Sequence, residues 1–441
     1  MARNTSNKSA ELFARAQAWL PGGVSRNTLL RKPHPIYVER GEGCRVVDVD
    51  GTEYLDFANN MASLIHGHAH PSIVEAVTDQ LQRGSAFSMA TEIEVRYAEE
   101  LCARSPNFER IRFVNSGTEA VMAGLKAARA YTGRPKVAKV EGSYHGAYDY
   151  AEVSQAPVPE TWGEADTPAS VPLAHGTPES VLSDVIVLPF NEPEKAVARL
   201  DAHAGEIACV LLDPIPHRVG LVAAHESFVS RLRRWTEEHN ALLMFDEVIS
   251  FRTQFGGLQE RHTAKPDLTA LGKIIGGGFP AGALAGSEEV MSVFQSKGSG
   301  PLLPHSGTFS ANPVTMSAGR MAMELYDREA VERINRLGDR ARALILEAIA
   351  EADVPASVTG EGSMLRLHMK QPTPFNYRSA YDTPNQAMAL QQFLAGLKNE
   401  GILCVQTGTA MLSTVMGEAE IDRLAQAILT SLGGIDRALL G

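Results

Sequence analysis

Apolar and polar positions follow two different rhythms along these 441 residues, and the change of rhythm divides the chain. From about residue 90 to 320, short apolar runs alternate with helical patterns. The runs include IRFVN (111–115), KVAKV (136–140), DVIVLPF (184–190), ACVLLDP (208–214), ALLMFDEV (241–248) and DLTALG (267–272). Several are nearly unbroken, not alternating, which predicts strands buried on both faces of a mostly parallel sheet. Residues 151–183, rich in Pro, Ala, Ser and Glu, break the pattern, and so long a loop inside a compact domain is usually functional. From Met321 the style changes. Val331, Ile334, Leu337, Ala341, Leu344 and Ala348 mark one face of a long helix. SMLRLHM (363–369), ILCVQ (402–406) and AMLSTVM (410–416) then read as strands, with helices near 386–399 and 418–432.

At the N-terminus, SAELFARAQAWL (9–20) predicts a short amphipathic helix stopped by Pro21-Gly22-Gly23. CRVVDVDGTEYLDF (44–57) predicts a hairpin turning at Asp50-Gly51. The expected architecture is α/β. A large domain over 66–320 carries the mostly parallel sheet, and a smaller α+β domain combines 321–441 with the N-terminal segment 1–65.

Composition narrows the function. An apolar content of 44% supports a substantial core, and a net charge of -11 without a basic block excludes nucleic acid or an anionic membrane surface as the main partner. Cys44, Cys102, Cys209 and Cys404 lack CxxC spacing and read as buried thiols of a reducing compartment. No apolar stretch reaches membrane-spanning length and no signal-peptide core opens the chain, so a cytoplasmic location is expected. His66, His68 and His70 alternate as metal ligands do, but no Cys, Asp or Glu nearby completes a shell, and no metal site is expected.

Three stretches carry candidate chemistry. In IRFVNSGTEAVMAGLKAARAYTGR (111–134) a strand ends at Asn115, and Ser116-Gly117-Thr118-Glu119 opens a helix with capping-box spacing. Such a strand–Gly–helix junction suits a phosphate or is an ordinary capped helix. In ALLMFDEVISFR (241–252) five apolar residues lead into Asp246-Glu247, which places acids at the C-terminal end of a buried strand, where open α/β sheets bind ligands. A carboxylate there needs a cation or strong donor. In PDLTALGKIIGGGFPAG (266–282) Lys273 precedes three glycines and is followed by Ile274. A P-loop needs its lysine after the glycine turn and a hydroxyl next, and a surface lysine needs neither flank. A strand-end lysine aimed into a crowded pocket is instead a candidate Schiff-base nucleophile. Phosphate cradle, acid for a pyridinium nitrogen and amine for an aldehyde together match pyridoxal 5'-phosphate.

These residues resemble those of class III (subgroup II) aminotransferases of fold type I, in the glutamate-1-semialdehyde aminomutase-like branch that also holds β-amino acid and D-phenylglycine aminotransferases. The similarity runs from PGGVSR to the C-terminus and rests on NSGTEAVMAGLKAARAYTGR, EGSYHGAYD, FDEVISFR, PDLTALGKIIGGGFPAGALAG and HSGTFSANPVTMSAG. It implies that Lys273 attaches the cofactor and shuttles protons, and that Asp246 pairs with the ring nitrogen. Ser116, Gly117 and Thr118 would hold the phosphate, Tyr144 and Val248 would cover opposite ring faces, and His145 would support the cofactor or the fold. Thr308 would reach the phosphate of a neighbouring subunit in a homodimer with shared active sites. Arg26 is the candidate for a substrate carboxylate, with a solvated loop arginine as the alternative.

Two departures from the branch matter. AEVSQAPVPETW follows the YHG block, and LLDPIPHRVG replaces the usual VEPVxGNxG, so Asp213 stands for a glutamate and His217-Arg218 intrude near the cofactor. Both favour intermolecular transfer from an amino acid or small amine to a keto acid or aldehyde, with intramolecular aminomutase chemistry as the alternative. No second arginine for the acceptor lies near ILCVQTGTAML.

Overall fold

The structure, a computed structural model, describes residues 7–296, 298 and 300–440. Its first helix, Lys8–Ala16, stops four residues short of the expected end, and residues 17–20 continue as turns. Strands β1 (Val38–Glu42), β2 (Arg45–Asp48) and β3 (Glu53–Asp56) form an antiparallel meander. The Asp50-Gly51 turn is closed by the Asp48 carboxylate, which accepts the N–H groups of Asp50 (3.0 Å) and Thr52 (2.8 Å), the local bonding that makes aspartate a turn residue.

The central sheet is built from β4 (Arg110–Val114), β5 (Lys136–Val140), β6 (Val185–Leu188), β7 (Ile207–Leu212), β8 (Leu242–Asp246), β9 (Leu268–Gly272) and β10 (Gly282–Gly286), in the order β4-β10-β9-β8-β7-β5-β6. Strands β5 to β9 pair in parallel, and β10 runs antiparallel between β4 and β9. The unbroken apolar runs are explained by burial on two sides. In β8, Leu242 and Met244 join the core under the helix Gly117–Thr132, while Leu243 and Phe245 join Phe228, Leu232 and Trp235 of the helix Glu226–Glu238 on the other face. Strand β10 had no apolar signature. Its sequence GALAG is small-residue-rich, which lets the Gly117–Thr132 helix pack closely but gives weak strand propensity.

The predicted long helix spans Arg328–Ala352, and Val331, Ile334, Leu337, Ala341 and Ala348 are buried as expected. Ile345 takes the buried place expected of Leu344, which is half-buried. Strands β11 (Ser357–Thr359), β12 (Met364–His368), β13 (Ile402–Leu403) and β14 (Thr409–Met411) follow; β11 was not expected, and the other three are shorter than their apolar runs. Strands β11, β12 and β14 form an antiparallel sheet, but β13 leaves it to pair in parallel with β3, Ile402 opposite Leu55. The fully buried Arg252 ties these parts together, donating to Ser363 Oγ (3.0 Å) and to the carbonyls of Ala62 and Leu412.

Candidate active site

Strands β4, β8 and β9 point the same way, and the three chemistry-bearing stretches follow their C-terminal ends. There they enclose a cleft of about 570 Å³ whose wall includes Ser116, Gly117, Thr118, Tyr144, His145, Asp246, Val248 and Lys273, with Arg26 at one side. Thr308 is not part of this wall. It is exposed, in the turn before the helix Pro313–Leu325.

Lys273 sits directly after β9 with φ +50°, a left-handed conformation that costs a non-glycine residue about 1 kcal/mol or more and is characteristic of functional turns. Burial lowers its pKa, opposed by the charges of Asp246 and Asp213. The glycines that follow serve the turn: Gly277 has φ +58°, and a Cβ there would lie 2.3 Å from the Ala318 carbonyl oxygen. So the pliable backbone after Lys273 folds tightly onto the helix Pro313–Leu325.

Asp246 and Glu247, adjacent in sequence, have separate tasks. Asp246 lines the cleft, its Oδ2 2.8 Å from His145 Nδ1 and its Oδ1 accepting the Val248 N–H at 3.0 Å. The carboxylate can only accept, so Nδ1 of His145 carries the proton. Burial lowers the His145 pKa, and its Nε2 has no partner among the described residues. Glu247 faces away, accepting from Ser250 Oγ and from the backbone of Leu258 and Gln259; burial raises it to about 7. Asp213, which follows β7 beside the end of β8, also lines the cleft, its carboxyl pushed well up by burial and then by the Asp246 charge, with Oδ1 accepting the Ile215 N–H at 2.9 Å.

The helix Gly117–Thr132 aims its N-terminus at the same space. Ser116 Oγ accepts the Glu119 N–H at 3.2 Å, but Glu119 reaches the Asn115 N–H (2.8 Å), one residue before the reciprocal partner of the expected capping box. The N–H groups of Gly117 and Thr118 have no acceptor among the described residues, so they and the positive helix end are available to an anion. Gly117 is required by proximity: a Cβ would lie 2.8 Å from Cγ2 of Val248. A phosphate cradle, a fixed carboxylate and a desolvated amine thus share one cleft, between the Tyr144 ring and the Val248 methyls, and this donor set fits pyridoxal 5'-phosphate.

Sequence reasoning missed part of the wall. Asn60, Met61 and Ser63 enter the cleft from a turn in which Asn59, Asn60, Met61 and Ala62 all have positive φ, and Asn60 Oδ1 accepts from Arg26 Nη1 at 3.2 Å. The Asn59-Asn60 pair was the only available signal, since asparagine tolerates that region. Other conspicuous residues have ordinary partners. His66 bonds Thr414 Oγ1 and the Ala322 carbonyl, His68 bonds Asp56, and Arg378 forms a two-pronged pair with Glu141.

Fold and cleft define an aminotransferase-like enzyme. The Aminotransferase class-III family model matches residues 29–432, and the chain belongs to that family. Class III aminotransferases use pyridoxal 5'-phosphate, and the chain is such an enzyme. It is 40% identical over 397 residues to the glutamate-1-semialdehyde 2,1-aminomutase of Methanothermobacter thermautotrophicus, covering 90% of this chain and 91% of that one. Its structure superposes on an omega-transaminase from Sphaerobacter thermophilus with TM-score 0.95, 46% identity and 98% of each chain covered. A beta-phenylalanine aminotransferase from Variovorax paradoxus gives TM-score 0.85 at 33% identity, over 97% of this chain and 94% of that one.

Proposed function

We propose that the chain is an intermolecular transaminase, moving an amino group from an amino acid, β- or D-amino acids included, or a small amine to a keto acid or aldehyde by ping-pong half-reactions. The observation that carries this reading is the meeting of Lys273, Asp246 and the N-terminus of the Gly117–Thr132 helix in one cleft. Bound there, pyridoxal 5'-phosphate supplies an aldehyde carbon for the amine and a ring that takes up the electron pair released at Cα.

The residues divide the work as follows. Lys273 would hold the cofactor through its amine and, when free, would move the proton at the substrate Cα; burial lowers its pKa, which favours the neutral amine that a base needs. Asp246, oriented by His145, bonds the ring nitrogen and keeps it protonated. Ser116, Gly117 and Thr118 hold the phosphate, while Tyr144 and Val248 fix the ring between them and Arg26 binds a substrate carboxylate. Thr308 reaches the phosphate of a second copy, so the working form is a cytoplasmic homodimer. Exposure of Phe309 and Met89, large apolar side chains, supports such an interface.

Aminomutase chemistry is the second reading, favoured by the identity to the Methanothermobacter relative. The omega-transaminase likeness and the altered stretch 211–220, with Asp213 and His217-Arg218, favour transfer between molecules. Titrating the holoenzyme with amino donors, no acceptor present, separates the two. Loss of the visible cofactor band with release of a keto product establishes the transaminase half-reaction. A band that resists every donor, with turnover of glutamate-1-semialdehyde, establishes the other. Lys273→Ala removes both the band and turnover if Lys273 is the residue that attaches the cofactor.

A further inference from the structure

Beside the cleft, across Met61, lies a second cavity of about 460 Å³. Arg218 and Arg366 stand in its wall. The Arg218 guanidinium carbon is 5.9 Å from the centroid of Tyr144, and the His217 ring meets Tyr144 edge-on at 6.4 Å. A ligand held at Lys273 therefore has this cavity as its neighbour beyond the Tyr144 ring.

The two arginines lack the partners that usually explain buried or clustered cations. Among the described residues Arg218 forms no hydrogen bond and no ion pair. Arg366, 7% exposed, donates Nη1 to the His217 carbonyl at 2.8 Å, while its buried Nε has no partner among those residues. Asp382 is the carboxylate in the same wall; it is engaged by Lys370 at 3.2 Å and its charge also acts on Arg366, so one carboxylate faces Lys370, Arg366 and Arg218 together. Burial holds His217 and His368 near pKa 3, so neither imidazole answers the charge.

One purely structural role for Arg366 is to fasten the turn at His217–Val219. That turn is already fastened by Thr359 Oγ1 (2.6 Å) and His368 Nε2 (3.1 Å) on the Gly220 carbonyl, and fastening gives no reason for Arg218. Two guanidinium groups face one cavity whose single wall carboxylate, Asp382, is already engaged by Lys370, which leaves an excess of positive charge, and guanidinium forks match a carboxylate in shape and charge.

We propose that Arg218 and Arg366 form a second anion subsite, which takes the distal carboxylate of a dicarboxylic amino acid or of its oxo acid. The proposal rests on the transaminase reading and names a substrate class for it. It supplies the acceptor-binding charge that the ILCVQTGTAML segment lacks.

The test is calorimetric titration of the holoenzyme, at fixed ionic strength, with succinate, glutarate, adipate, pentanoate and inorganic phosphate. The best dicarboxylate is expected to bind at least about tenfold tighter than pentanoate. Arg218→Gln, at an exposed position, should bring that ratio to within about twofold, and Arg366→Lys should reduce it in part. A ratio near one in the wild type, or one that survives Arg218→Gln, overturns the proposal. So does phosphate binding as tightly as the best dicarboxylate, which would make the subsite a general anion trap. Because these probes carry no amine, their outcome is independent of donor bleaching. A protein that bleaches with donors but shows no dicarboxylate preference loses only this inference, and one that bleaches with none loses the transaminase reading.

Discussion

His145 Nδ1 and Asp246 Oδ2 are 2.8 Å apart, with the imidazole fully buried and the carboxylate nearly so. The imidazole is neutral because burial lowers its pKa, so it orients the carboxylate without neutralising it. Two donors, His145 Nδ1–H and the Val248 N–H, thereby fix one oxygen each of the Asp246 carboxylate. The neighbouring Asp213 accepts one backbone N–H among the described residues, and burial and then the Asp246 charge raise its pKa.

Asp246→Asn should therefore retain cofactor, as the cradle and Lys273 are intact, yet lower turnover by roughly a hundredfold or more. Single-turnover kinetics with the best donor checks this. Near-normal rates would remove Asp246 from the role of ring-nitrogen partner.

Gly117→Ala should weaken cofactor retention by about tenfold, because the new methyl meets the branched, rotationally stiff Val248 2.8 Å away. Val248→Ala in the same chain should restore part of the loss. Dialysis against cofactor-free buffer, followed by absorbance, measures both. Equal, additive losses in the double variant would mean that the contact with Val248 is not what makes glycine necessary at position 117.

Arg378→Leu should destabilise the protein by about 3 kcal/mol, since it strands the buried Glu141 carboxylate that accepts both Nε and Nη2 at 2.9 Å. Arg378 also donates to the carbonyls of Trp162, Gly163 and Glu164. Limited proteolysis should accordingly cut the variant near residues 160–165 before wild type. Denaturant midpoints equal to wild type would show the pair to be energetically idle.

Stability should fall as pH drops below about 6.5. His66 and His368 are each 3% exposed, with pKa values lowered by burial to about 4 and about 3. Below the ordinary histidine pKa the unfolded chain binds protons that the folded chain refuses, so each site costs roughly 1.4 kcal/mol per pH unit down to its folded pKa. Denaturation from about pH 7 to pH 5 should show this slope, reduced by about one proton in His368→Gln. An unchanged slope would mean that His368 is protonated in the folded state.

Much of the site was legible because its chemistry restricts residue type and its strands are buried on both faces. Unbroken runs gave β4 to β9, and the ends of those strands gave Ser116, Asp246 and Lys273. β10 was not legible, since GALAG owes its strand conformation to its neighbours β4 and β9 and not to side-chain pattern. Nor was the left-handed turn Asn59–Ala62, whose shape is set by tertiary contacts such as Asn59 Nδ2 with the Met411 carbonyl. Arg218 and Arg366 could be flagged singly. Their shared cavity arises only because the turn at 217–219 docks on β12.

The pairing of β3 with β13 has a consequence for biosynthesis. During translation β1, β2 and β3 leave the ribosome with the β3 edge bare, and its partner, Ile402–Leu403, is made roughly 350 residues later. At about 5–20 residues per second the nascent chain carries that unpaired edge for roughly 20–70 s. An exposed edge invites pairing with other chains, so this interval is the one in which a chaperone would matter most to yield.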